Sequence, residues 1–144
     1  MADFFDDIAA WLSEEALSEN SFDVTLKAFA QRLLDGGLPI ARINIGRMIL
    51  HPAIGLTDSE WEAGTGLVRT TIIERNKVTP TLGEDTPFGD MSVKQLGTIH
   101  ANLEKPEERE KYKIFDDLAA RGYTGYLAMR RAFGQKQNVF RPCK

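Results

Sequence analysis

Few residues in this 144-residue chain have the type and spacing that chemistry needs. The histidines are His51 and His100. A metal site needs further ligands at fixed geometry. No close His, Asp or Glu cluster accompanies either histidine, so no metal is expected. His51 precedes Pro52 at the end of an isoleucine-rich run and reads as a hydrogen-bonded loop histidine. Haem attachment has no motif here, and no cofactor is expected. Cys143, the lone cysteine, allows neither an intrachain disulfide nor a cysteine metal site. It lies beside the chain end with no general base to activate it. Gly64-Thr65-Gly66 lacks the lysine and the glycine spacing of a phosphate loop. The acids of 104–110 read as a solvated helix start, not a catalytic pair. A ligand cavity remains. Trp61, Arg69 and Tyr126 fall on expected strands, His51 falls at a strand end, and the Pro- and Gly-rich 75–91 stretch is able to close over them. An apolar wall with a few polar tips suits a small ligand. The competing reading is that Trp61 and Tyr126 are core packing.

The elements that must position these residues follow from periodicity and stop signals. Phe4, Ile8, Trp11 and Leu12 recur on one stripe of a helix over 3–18, with Asp3, Asp6 and Asp7 at its favourable N-terminal end. Ser21 caps a second helix over 22–35, whose apolar stripe is Phe22, Leu26, Phe29, Ala30 and Leu33. Gly36-Gly37 and Pro39 end that helix, and a strand over 40–49 follows. Ile43, Ile45 and Ile49 point to one side of it. Arg42, Asn44 and Met48 point to the wetter side. Residues 59–63 and 67–74 flank Gly64-Thr65-Gly66 as a hairpin. Pro80, Gly83, Pro87 and Gly89 make 75–91 irregular, the kind of loop that often serves as a lid. Ser92 caps a short helix to Leu96, Thr98–Leu103 is a strand, and Pro106 opens a helix to about Arg121 that Gly122 closes. Tyr123–Phe133 and Asn138–Arg141 are two further strands, joined by a turn over 134–137. Hairpins without regular crossovers imply an α+β fold. We expect one antiparallel sheet of five to six strands with helices packed on it, GAF/PAS-like, in a single domain 1–144. Its leader helices span 3–35 and its sheet-containing core 40–144.

Composition sets outer bounds. The chain is 42% hydrophobic and 27% charged, ordinary values for a globular domain. No apolar run approaches the roughly 20 residues a membrane span needs. The acidic start, MADFFDD, is unlike a secretory signal. Together these lead us to expect a cytoplasmic protein with no membrane contact. The net charge of −3 hides an asymmetry. The first 23 residues hold seven acids and no base, which leaves +4 on the other 121. Such charge is ordinarily a solvated face. The alternative is an acidic leader that docks on a basic partner surface. Nucleic-acid binding is not expected of an acidic chain without a module signature.

Three segments carry a family resemblance: KAFAQRLLDGGLPIARINIGRMILHP (27–52) with Trp61 after it, TPFGDMSVKQL (86–96), and FDDLAARGYTGYLAMRRAF (115–133). Together they resemble the amino-terminal region ahead of the catalytic domain in bacterial class III adenylate/guanylate cyclases. Leu50-His51-Pro52, Trp61 and Leu118…Gly122-Tyr123-Thr124-Gly125-Tyr126 match its pattern. Glycine stands where that family has aspartate, and Ser92-Val93 lacks the expected proline. The chain leaves no room for the cyclase core with its two metal-binding aspartates. The resemblance therefore implies a sensory or regulatory module without chemistry of its own. Such a module acts through a small ligand, a partner signalling protein or a homodimer of its leader helices. Phe4, Phe5, Ile8, Trp11 and Phe22 are the expected interface, since so aromatic a stripe exceeds what one small sheet covers. A small enzyme with its site under the 75–91 loop and a purely structural interaction protein are the alternatives.

Overall fold

A computed structural model describes residues 2–79 and 83–132. The chain divides into two compact units, 1–79 and 80–144. The expected turn at 134–137, the strand at 138–141 and Cys143 lie outside the described residues.

The first unit opens with helix α1 (Ala2–Glu15) and helix α2 (Phe22–Asp35). The α2 boundaries are those the sequence predicts, because both stop signals act: the Ser21 side chain accepts from the Val24 N–H, and the Gly36 N–H caps the Arg32 carbonyl. Helix α1 ends three residues earlier than expected, at Glu15. That carboxylate accepts from Asn20 Nδ2 and Thr25 Oγ1, which draws the chain into the turn toward α2. Three antiparallel strands follow in the order β1-β2-β3: β1 (Arg42–Met48), β2 (Ile54–Glu62) and β3 (Val68–Glu74). The middle strand begins five residues before the expected 59–63 run, and its extra residues complete the ladder from Met48↔Leu56 to Arg42↔Glu62.

Register sorts the side chains into two faces. Ile43, Trp61 and Val68 form one inner row, and Ile45, Ser59 and Thr70 the next. Leu26 and Ala30 of α2 close over Trp61 to make the core, with Phe22, Phe29 and Ile40 against it. The outer face carries Arg42, Asn44, Asp58, Glu60, Arg69 and Thr71, the polar side that alternation in β1 anticipates.

The second unit holds helix α3 (Pro87–Val93), strand β4 (Thr98–Asn102), the short helix α4 (Pro106–Arg109), helix α5 (Lys113–Ala120) and strand β5 (Gly125–Met129). Strands β4 and β5 pair antiparallel from Thr98↔Met129 to Asn102↔Gly125. Ala101, Leu103, Phe115 and Leu118 form its buried core, with Tyr112 and Tyr126 packed on Phe115.

The molecule is thus mixed α and β with antiparallel pairing throughout the described residues. The expectation of one sheet needs correction: among the described residues, five strands form a three-stranded and a two-stranded sheet. Two helix boundaries also move. Thr86 caps α3 and Pro87 takes its first turn, so the helix begins inside the stretch read as irregular. The helix expected over 106–121 is broken at Tyr112, whose backbone is extended and whose hydroxyl donates to Asp90 at 2.7 Å.

Candidate functional site

Of the residues expected to line a pocket, Trp61, Arg69 and His51 belong to the first unit, where Trp61 and Arg69 lie on opposite faces of the sheet. Trp61 is 3% exposed and packs as core under α2. Arg69 is exposed on the opposite face of the same sheet, because it neighbours Val68 and successive strand residues alternate. His51 lies in the β1–β2 loop. Its Nδ1 accepts from the Ala53 and Ile54 N–H groups at 3.1 and 3.2 Å, as a loop histidine should. Tyr126 belongs to the second unit and packs on Phe115 with ring centroids 4.8 Å apart. His100 is exposed on β4, opposite Leu127. Among the described residues, no group of three or more His, Cys, Asp and Glu is arranged to hold a metal ion. No helix among them is long and apolar enough to cross a membrane.

The leader stripe is mostly consumed within the first unit. The Phe4 ring lies on Gly36, where a built Cβ would overlap it. Ile8 is the buried residue of α1. Arg32 stacks its guanidinium 4.4 Å from the Trp11 ring, and Phe22 joins the core. Phe5 remains 47% exposed. Phe4 at Gly36 and Glu15 at Thr25 set α1 antiparallel to α2. Between the helices lies an open cleft of about 300 Å³ lined by Phe4, Asp7, Ile8, Arg32, Asp35 and Gly36.

A polar chain ties α2 to the sheet. The Thr70 hydroxyl donates to Asp23 Oδ1 at 2.9 Å. The fully buried Ser59 hydroxyl lies 2.8 Å from Thr70 and donates to it, since the Thr70 proton is already committed. In the next inner row Arg47 stands opposite Thr57. The Arg47 guanidinium sits 3.5 Å from the centroid of the Phe22 ring. Arg47 Nε and Thr57 Oγ1 are both sealed from solvent with no hydrogen-bond partner among the described residues. Sequence reasoning missed this pair. The one available signal was an arginine at an odd position in β1, in phase with Ile43 and Ile45.

Two shifted acids in the second unit hold structure together. The Lys94 ammonium and the Tyr112 hydroxyl keep the Asp90 carboxyl below the usual range, and in return Asp90 pushes the Tyr112 phenol up to about 12. The Asn102 N–H, at 2.6 Å, holds Glu108 low. Each is a carboxylate that accepts a hydrogen bond from a backbone N–H or a neighbouring side chain.

No family model, curated protein or solved structure matches the chain. Fold and site together define an α+β protein whose first unit is a helical hairpin seated on a three-stranded antiparallel sheet.

Proposed function

We propose that this chain is a cytoplasmic regulatory module, in which the helical hairpin of the first unit responds to a small ligand or a second copy of the chain and performs no chemistry itself. The carrying observation is how lightly α1 is held. Of its 14 residues only Ile8 is buried. Its other anchors are a ring lying on a glycine, a cation stacked on Trp11 and the Glu15 carboxylate on Thr25. Elements with few buried contacts sit at the low end of local stability, and moving parts are drawn from there. A helix held this way shifts between two packings at small free-energy cost. The same reading takes the resemblance that the sequence of residues 27–52, 86–96 and 115–133 suggests, to the amino-terminal region of bacterial cyclases, as part of the proposal. Phe5, with Leu17 and Val24 also exposed along the hairpin, supplies the apolar surface for self-association, passing the change to a partner signalling protein.

Hydrogen exchange and sedimentation velocity on the whole chain test this. The α1 amides are expected to exchange well before those of α2, and concentration-dependent dimerisation to disappear in Phe5→Asp. A chain that stays monomeric at high concentration, with α1 as protected as α2, overturns the proposal.

A further inference from the structure

We infer that the Arg47–Thr57 corner of the first unit is a binding site for a small oxyanion, a carboxylate or phosphate group. Arg47 lies on the inner face of β1, two residues on from Ile45, where an aliphatic side chain would ordinarily pack. No carboxylate lies within 4.0 Å of it among the described residues, although Arg42 on the outer face has Glu60. The Phe22 ring lies against the guanidinium, 3.5 Å from Cζ to the ring centroid, and restricts its movement. A planar cation held in one orientation suits a two-oxygen acceptor better than a mobile lysine does. Thr57, its direct ladder partner, adds a hydroxyl with nothing to bond. Both groups can donate hydrogen bonds, so the missing partner is an acceptor, and the guanidinium charge selects an anionic one. Unsatisfied buried donors are disfavoured, and native structures rarely retain two side by side without a use. Asp23, the nearest acid along α2, is bonded to the Thr70 hydroxyl.

The Phe22 ring governs access. Phe22 covers the Arg47 guanidinium and Arg47 Nε and Thr57 Oγ1 have no solvent contact, so on this proposal an anion reaches them with a displacement of that ring. Phe22 is the first residue of α2, directly after the turn from α1. Occupancy of the corner therefore repositions the start of α2 and the hairpin with it. This deepens the regulatory reading and rests on it only for the hairpin response, since the site itself stands on Arg47, Thr57 and Phe22.

Inorganic phosphate and acetate, titrated separately into the ¹⁵N-labelled whole chain, test the site. The Arg47 Nε–H resonance and the backbone amide of position 57, its ladder partner, report binding, the amide serving alone in the Arg47 variants, and α1 amide exchange is read on the same samples. Saturable movement of that resonance by at least one anion is expected, and the stronger of the two identifies the headgroup chemistry. Arg47→Gln is expected to weaken binding about tenfold or more, with Arg47→Lys intermediate. Thr57→Val is the discriminating variant. It removes an unpaired hydroxyl, so it is expected to raise the melting temperature while weakening anion binding. If neither anion moves the resonance, or if Thr57→Val and a folded Arg47→Lys bind as the parent does, the site is overturned. If binding saturates but α1 exchange is unchanged, the site stands and the hairpin reading fails.

Discussion

Tyr112 and Asp90 show how one hydrogen bond sets both local structure and a pH response. The phenol's folded value of about 12 lies above its ordinary value of 10.0, because Asp90 accepts a hydrogen bond from the protonated hydroxyl and burial disfavours the phenolate. That contribution to stability is complete below pH 10.0 and is lost as the pH rises toward 12. Asp90 runs the other way: held below 3.8, its contribution is present above that value and is lost as the pH falls. Thermal unfolding across the alkaline range should decline more steeply in the parent than in Tyr112→Phe. Parallel curves would show that the bond is not made. Two glycines separate by what they face. A Cβ on Gly89 would run into the Gly83 carbonyl backbone, whereas one on Gly36 meets the movable Phe4 ring. Gly89→Ala should therefore cost about 1–3 kcal/mol, and Gly36→Ala less, as measured by urea denaturation. Gly36→Ala should also release the start of α1 to hydrogen exchange.

At the scale of elements, the seat of α2 on the sheet depends on the Asp23–Thr70–Ser59 chain. Thr70→Val removes the acceptor of a buried hydroxyl and should cost about 1–3 kcal/mol. Thr70→Ser, which keeps the hydroxyl, should recover most of it. The β1–β2 loop depends on Arg75, which donates to the carbonyls of Ile49, His51 and Ile54. A lysine cannot fork in this way, so Arg75→Lys should speed exchange at Ile49, whose N–H bonds the Gly55 carbonyl. These elements also show what a sequence reveals. Helix α2 was legible because Ser21, its apolar stripe and Gly36-Gly37 all agree. The faces of β1 were legible because isoleucine alternates with polar residues. Helix α3 was not, because Pro87 and Gly89 read as breakers although Thr86-Pro87 is also a start signal. The break at Tyr112 was hidden because its cause, Asp90, is 22 residues away in the chain. Arg47–Thr57 was hidden for the same reason: a strand partner is set by register, which only the folded ladder fixes. The stripe Phe4, Ile8, Trp11 and Phe22 was found correctly as apolar, but sequence could not say that α2 and the sheet would cover most of it.

At the scale of the molecule the described residues form two cores, one around Leu26, Ala30 and Trp61 and one around Leu103 and Phe115. Leu26→Ala should cost about 3 kcal/mol and Phe115→Ala about 4 kcal/mol, large fractions of the roughly 5–15 kcal/mol that hold an ordinary domain. Each loss should raise hydrogen exchange in its own unit first. Uniform exchange over 2–132 in either variant would mean one cooperative body instead. The division of the chain also partitions its chromophores. Both tryptophans, Trp11 and Trp61, lie in the first unit, and all three tyrosines, Tyr112, Tyr123 and Tyr126, lie in the second. Indole emission thus reports on one half of the protein and phenol absorbance on the other, so a single unlabelled sample can follow the melting of each separately.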